Sequence, residues 1–308
     1  MAQLIKLQDY ISRYEWNAYR YPSQYMRLKQ DNWKKLQYMS MKEGTVKAGE
    51  EEHEEQSSTF SKWKSFIKTG NWQTEGEDAA DEDNVLPKTE NDLKQYFLNK
   101  LFPLQLKWAT STVTDVSFMD KSYYQDDTLR YFLQRFPDTY LLMYYPIFNI
   151  KKAPIDGEII LLSPIGIEII YLIEKNHNAK IVADDERTWI VEEREEQSKI
   201  LSPMIALKRT EQLVKSILSK EDIEFPINKV VLSRVNNIEF ISEPFNTKII
   251  GKYNYKKWFK EKRSLVSPLK SSQLKIADLL LKNCQSTSVK RPEWEEDNNT
   301  FSVGTEDE

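Results

Sequence analysis

Two apolar stretches joined by a short turn constrain this chain more than any other part of its sequence. Glu158–Ser163 and Ile167–Ile173 consist largely of isoleucine and leucine, and Pro164–Gly166 lies between them. Runs of this length and composition predict buried strands, and the proline and glycine predict a tight turn. Any fold for this chain must therefore accommodate a pair of buried strands near its middle.

The elements predicted around this pair define the fold class. A helix is expected over Asp126–Phe136, ending before Pro137, and a third strand over Tyr140–Phe148. Ser202 and Pro203 are typical of a helix start, and Lys229–Leu232 predicts another buried strand. Helix, three strands, helix, strand predicts an α/β (mixed α+β) protein with a small mixed β-sheet flanked by helices.

Charge divides the rest of the chain. Residues 43–92 hold fourteen acidic and five basic residues, and residues 285–308 hold seven and two, so these stretches carry about −14 of a net charge of −4. The remaining body is therefore basic, near +10. Because the acidic stretches contain few branched apolar residues, we expect 43–88 to be a flexible linker and 285–308 a disordered tail.

Residues 1–42 carry a net charge of +5 and are crowded with tyrosine and tryptophan. Ser23 to Met39 is expected to be helical, following Pro22. We expect 1–42 to form an aromatic-rich helical arm that packs on the main domain. Aromatic stacking on nucleic-acid bases is the alternative.

Several classes of protein are excluded by composition. One cysteine and two histidines leave too few ligands for a common zinc site, and none of the eight glycines belongs to a phosphate-binding loop. No apolar run reaches the length of a membrane helix, and the first residues do not resemble a signal peptide. The expected location is the cytoplasm, with no membrane partner.

The carboxylates Asp156 and Glu158 stand at the start of the first buried strand. Alternation along a strand places both on one face, and paired carboxylates suit Mg²⁺, which prefers oxygen ligands. The two are candidate metal ligands, with a solvated pair near a turn as the alternative.

The residues around this pair resemble the nuclease-related domain (NERD) family. Glu158 lies eight residues before Gly166, as an acidic residue does in that family, and Trp189 and the helix opened by Ser202 follow in the same order. Lys229–Ser233 is similar to the strand after that helix. The resemblance covers roughly residues 90–240 and implies a restriction-endonuclease-like, PD-(D/E)xK-type core over 89–245.

The chain departs from this family where cleavage would need it most. Tyr171 and Ile173 stand where the PD-(D/E)xK relatives carry glutamate and lysine. Glu174 and Lys175 lie close by, but a one-residue shift in a strand points a side chain to the opposite face. The resemblance thus implies a degenerate cleavage site, in which Asp156 and Glu158 are remnant carboxylates and no residue is assigned as catalytic.

Residues 246–284 form a basic C-terminal segment with interleaved aromatic residues. Basic side chains neutralise phosphates and aromatic rings stack on bases, so this segment favours DNA or RNA binding. The alternatives are a helix docked through its aromatic residues, or contact with the acidic linker. The candidate binding residues are Lys252, Lys256, Lys257, Lys260 and Arg263.

The sequence favours a nucleic-acid-handling protein that is a catalytically inactive relative of nucleases. One alternative is an active nuclease that uses Mg²⁺ in a rearranged site. Another is a non-enzymatic scaffold that binds a protein partner through the aromatic arm or the acidic linker.

Overall fold

A computed structural model of the chain describes residues 1–46, 87, 89–150, 153–183, 187–194 and 196–291. The chain divides into two compact units. The larger comprises Met1–Arg27 and Leu101–Glu308, and the smaller comprises Leu28–Lys100. The predicted linker 43–88 lies outside the described residues except for 43–46 and 87. The predicted disordered tail 285–308 is described as far as Arg291, and this part is ordered, because Val289–Lys290 pairs with Asp115–Val116.

The helices of the described residues are α1 (Arg13–Trp16), α2 (Arg20–Val46), α3 (Glu90–Trp108), α4 (Asp127–Arg135), α5 (Pro203–Ser219), α6 (Lys252–Arg263) and α7 (Ser271–Lys282). The strands are β1 (Gln3–Leu7), β2 (Asp115–Val116), β3 (Leu141–Tyr144), β4 (Ile147–Ile150), β5 (Ala153–Asp156), β6 (Ile159–Ser163), β7 (Gly166–Leu172), β8 (Lys180–Val182), β9 (Thr188–Glu193), β10 (Glu196–Leu201), β11 (Ile227–Leu232), β12 (Asn237–Glu239), β13 (Thr247–Ile250) and β14 (Val289–Lys290).

The larger unit is built on a six-stranded mixed sheet in the order β1-β3-β6-β7-β11-β13. β1 is parallel to β3, whereas β3, β6 and β7 are antiparallel neighbours. β7, β11 and β13 are parallel. The order α4, β3, β6, β7, α5, β11 is the predicted one, and the predicted mixed α/β class is confirmed.

Local chemistry explains the elements around the buried strand pair. Ser163 and Gly166 close the turn between β6 and β7, where the Ser163 hydroxyl donates to the Gly166 carbonyl oxygen at 2.9 Å. A Cβ on Gly166 would lie 3.2 Å from the Pro226 carbonyl oxygen, so the turn needs glycine for close approach. The Ser202 hydroxyl accepts a hydrogen bond from the Met204 N–H at the start of α5, as the sequence predicted.

Two corrections concern the ends of the predicted core. Residues 1–42 are not a wholly helical arm, because Gln3–Leu7 forms the buried edge strand β1. Residues 246–284 are not a segment separate from the core, because Thr247–Ile250 forms the opposite edge strand β13 of the same sheet. The boundaries drawn at 42 and 245 therefore do not separate folded pieces.

The predicted strand Tyr140–Phe148 is also divided in two. β3 ends at Tyr144, and Tyr145 adopts a left-handed conformation with φ of 47° before Pro146. Ile147 then begins a separate hairpin of β4 and β5. A left-handed tyrosine costs roughly 1–2 kcal/mol, so the surrounding structure must hold it in place.

The smaller unit contains the larger part of α2 and the first part of α3. Leu36, Leu93 and Phe97 are buried within it, and the Trp33 and Phe97 rings have centroids 5.2 Å apart. The Thr89 hydroxyl accepts a hydrogen bond from the Asp92 N–H and so caps the start of α3. Among the described residues, no helix combines the length and apolar character needed to span a membrane.

Candidate functional site

Several ionisable side chains lie at one end of the central sheet. β3, β7, β11 and β13 all end there, and β6 begins there, because Met143 pairs with Ile160 and Ile159 pairs with Ile170. The residues that follow or precede these strands, Tyr145, Glu158, Glu174 and Arg234, are therefore brought to a common edge.

Glu158 lies just before β6 and is held by α5. Its main-chain N–H donates to the Thr210 hydroxyl at 3.1 Å, and its side chain is 12% exposed. The Arg209 Nη2 lies 4.0 Å from Oε1 of Glu158. Burial raises the pKa of Glu158, the charge of Arg209 opposes this, and the nearby charge of Asp156 adds to the rise. The positive charge next to the Glu158 carboxyl is therefore the Arg209 guanidinium.

Two tyrosines share the electrostatic field of Glu158. Burial, followed by the charge of Glu158, raises the pKa of Tyr145 to about 12 and also raises that of Tyr171. Tyr171 follows Ile170, which pairs with Ile159, so it stands beside Glu158 on the next strand. Both phenols are therefore neutral hydrogen-bonding groups near neutral pH.

This set of residues does not resemble a magnesium site. The predicted pair does not stand at the start of one strand, because Asp156 ends β5 and is exposed, whereas Glu158 precedes β6 and is mostly buried. Within the described residues, no three acidic, histidine or cysteine side chains are grouped to hold a metal ion. A guanidinium beside the buried carboxyl also opposes a second cation through like-charge repulsion.

Glu174 belongs to a separate ion pair at the same end of the sheet. Arg234 donates to both carboxylate oxygens, from Nε at 2.6 Å and from Nη2 at 2.7 Å. Burial raises the pKa of Glu174, but the hydrogen bonds and charge of Arg234 outweigh it and lower the net value. The Arg234 guanidinium lies 4.5 Å from the centre of the Tyr131 ring. Glu174 is therefore committed to holding Arg234, not to a metal.

The candidate nucleic-acid-binding residues lie on α6, which begins directly after β13. Lys252, Lys256 and Lys260 are spaced four residues apart, so they lie along one face of this helix. Trp258 on the other face is buried, and its ring lies 5.9 Å from that of Phe136, the C-cap residue of α4. The exposed cations are Lys252, Lys256, Lys257, Lys260 and Arg263.

α6 and Glu158 lie on opposite faces of the sheet. Glu168 pairs with Leu161 across β7 and β6, and its carboxylate forms an ion pair with Lys262 of α6. Strand alternation places Glu158 and Tyr171 on the other face, toward α5. The basic face of α6, defined as the five exposed cations above, is thus separate from the predicted remnant site.

Sequence reasoning missed Arg209, Tyr145 and Arg234. Arg209 lies within a helix whose start was recognised, but only the packing of α5 on β7 brings it to Glu158. The pair Tyr144–Tyr145 before Pro146 was a signal that the predicted strand stops early.

Comparisons with known proteins give one short match. No family model and no solved structure matches the chain. It is 35% identical over 115 residues to an RNA 2',3'-cyclic phosphodiesterase from Geobacillus stearothermophilus. The match covers 34% of this chain and 36% of that protein, so the chain spans about a third of the relative's length.

Proposed function

We propose that this chain is a NERD-like protein that binds DNA or RNA through the basic face of α6 and lacks a Mg²⁺-dependent cleavage centre. The observation that carries the proposal is the exposure of five cations on one 12-residue helix whose other face is anchored by aromatic packing. Cations exposed on one face can neutralise backbone phosphates and release their counterions.

The surroundings of Glu158 support the second half of the proposal. A nuclease of this kind needs converging carboxylates to hold the metal and a lysine to activate water. Here Glu158 has Arg209, Tyr145 and Tyr171 as neighbours. Ile173 is buried and cannot act on water. Binding without cleavage is the function these groups favour.

RNA is proposed as a ligand as well as DNA. The partly matching relative is named for its action on RNA. The match extends over only part of both chains, so the activity in that name stays with the relative. Its ligand class is the reason to include RNA in the test.

Salt-dependent binding tests the proposal. Fluorescence anisotropy with labelled single-stranded RNA, single-stranded DNA and duplex DNA should give a slope of log association constant against log salt between about −3 and −4.5, for four or five engaged phosphates. Lys256→Glu with Lys257→Glu should weaken binding and make the slope shallower by about 2, because two contacts are lost. Lys199→Glu with Lys220→Glu, two exposed lysines elsewhere, changes the net charge equally and should weaken binding much less.

A cleavage assay completes the test. The same labelled substrates are incubated with Mg²⁺ or Mn²⁺, and no cleavage is expected. Cleavage that disappears in Glu158→Gln would establish an active nuclease with a rearranged site. Absence of binding to all three nucleic acids at low salt would make the basic face a surface for a protein partner instead.

A further inference from the structure

α6 carries four aromatic residues, and one of them differs from the other three. Besides the buried tryptophan described above, the Tyr255 hydroxyl oxygen lies 2.7 Å from that of Tyr131 on α4. The centre of the Phe259 ring lies 5.6 Å from that of Phe136, which caps α4. Tyr253, in contrast, is 78% exposed. Packing of α6 on the core therefore accounts for three of the four rings but not for Tyr253.

Tyr253 lies among the cations of the basic face of α6. It precedes Lys256 by three residues and Lys257 by four, and residues with these spacings on a helix have Cβ atoms about 5–6 Å apart. Lys260 is two turns further along the same side of the helix. The tyrosine and the three lysines are all exposed. A nucleotide whose phosphate contacts these lysines is therefore next to the tyrosine ring.

The exposed carboxylate of Glu261 limits the direction that a bound strand can take. Glu261 follows Lys257 by four residues and lies on the side of Lys257 that faces away from Lys256. Because a carboxylate repels phosphate, a nucleic-acid backbone is directed toward the side that carries Tyr253.

An exposed ring flanked by lysines has the composition of a surface that binds unpaired bases. Aromatic rings stack on bases of any sequence because every base has a π-face, and the cations neutralise the phosphates. In a duplex the bases already stack on one another, and a protein must open a pair to reach their faces. Single-stranded nucleic acid offers these faces without that cost.

We propose that the basic face of α6 binds single-stranded nucleic acid, with Tyr253 stacked on an unpaired base and Lys256, Lys257 and Lys260 on the neighbouring phosphates. This inference rests on the proposed function and narrows its ligand to strands with unpaired bases, either RNA or DNA. The contact is made by the face of the ring, so the Tyr253 hydroxyl is not required.

Fluorescence anisotropy with the full chain, a labelled single strand and the matching duplex tests the preference at about 0.15 M salt, where exposed charges are screened. Tyr253→Ala should weaken binding of the single strand by at least about fivefold and leave duplex binding unchanged. The salt slope should not change, because no cation is removed. Tyr253→Phe should bind like the wild type, and Tyr19→Ala, at another exposed tyrosine, should have little effect.

An oligonucleotide whose bases are replaced by abasic sites isolates the stacking contact, because it keeps every phosphate. The wild-type chain should bind the intact strand at least about fivefold more tightly than the abasic strand. Tyr253→Ala should lose most of this preference, since removal of the ring and removal of the base abolish the same contact. If Tyr253→Ala keeps the full preference, the bases stack elsewhere and the proposal is wrong.

Single strands of RNA and DNA with one sequence form two arms of the experiment. An equal loss in Tyr253→Ala assigns the site to unpaired bases of either kind, and a loss confined to one arm assigns it to that nucleic acid. Binding that is weakened by Lys256→Glu with Lys257→Glu but not by Tyr253→Ala would retain the proposed function and overturn this inference. Absence of binding to every nucleic acid would overturn both.

Discussion

At the scale of single residues, the Glu158 carboxyl is governed by opposing neighbours. Burial and Asp156 raise its pKa, whereas Arg209 lowers it. Replacing Arg209 with alanine should therefore raise the pKa of Glu158 further. The shift can be followed by NMR titration of the side-chain carboxyl carbon, with Lys208→Ala on the same helix as the control. An unchanged midpoint in Arg209→Ala would show that the guanidinium does not act on this carboxyl.

At the scale of elements, the ion pair between Lys262 and Glu168 attaches α6 to the sheet. The two side chains are 16% and 10% exposed. Lys262→Met leaves a buried carboxylate without its cation and should lower the free energy of unfolding by about 3 kcal/mol at neutral pH. Urea denaturation measures the loss, and Lys260→Met on the exposed face of the same helix should cost far less.

Acid should reduce the effect of that substitution. Burial already raises the pKa of Glu168 despite the opposing charge of Lys262, and loss of Lys262 raises it further. The carboxyl in Lys262→Met then takes up a proton as the pH falls, which removes the buried charge. The double variant Glu168→Gln with Lys262→Met should be more stable than Lys262→Met alone at neutral pH. If it is less stable, the buried charge is not the cause of the loss.

At the scale of the whole molecule, the N-terminal residues are part of the larger unit. All five residues of β1 are buried, and the Lys6 ammonium donates to Glu15 at 2.6 Å and to the Ser286 hydroxyl at 2.7 Å. If a protease site is inserted between residues 50 and 86 and cleaved, the two pieces should remain together on size-exclusion chromatography. Leu4→Asp should release the N-terminal piece, because it places a charge in the buried strand.

An uncut sample of each variant is the control for that experiment. If the cleaved wild-type chain separates under native conditions, β1 is not held by the contacts described here.

The features that the sequence could predict depend on residues close together in the chain, and those that it could not predict depend on residues far apart. The turn at Gly166 and the cap at Ser202 depend on neighbours within a few residues, and both were predicted. For the segment that carries Lys256, a docked helix was one of the alternatives that the sequence left open. β1 was not predicted, because it is only five residues long, it precedes a helical, aromatic-rich segment, and its partner strand begins far along the chain at Leu141. The contact between Arg209 and Glu158 depends on packing of α5 against the sheet, which no local pattern encodes.

The parallel pairing of β1 with β3 also determines when β1 can fold during translation. Gln3 leaves the ribosome long before Leu141, its partner, can follow. The Lys6 ammonium acquires its acceptor on Ser286, 280 positions later, only when most of the chain has emerged. Contacts so distant in sequence are slow to form, and a nascent chain exposes its unpaired strand while it waits. The first strand therefore stays without its partners for most of translation.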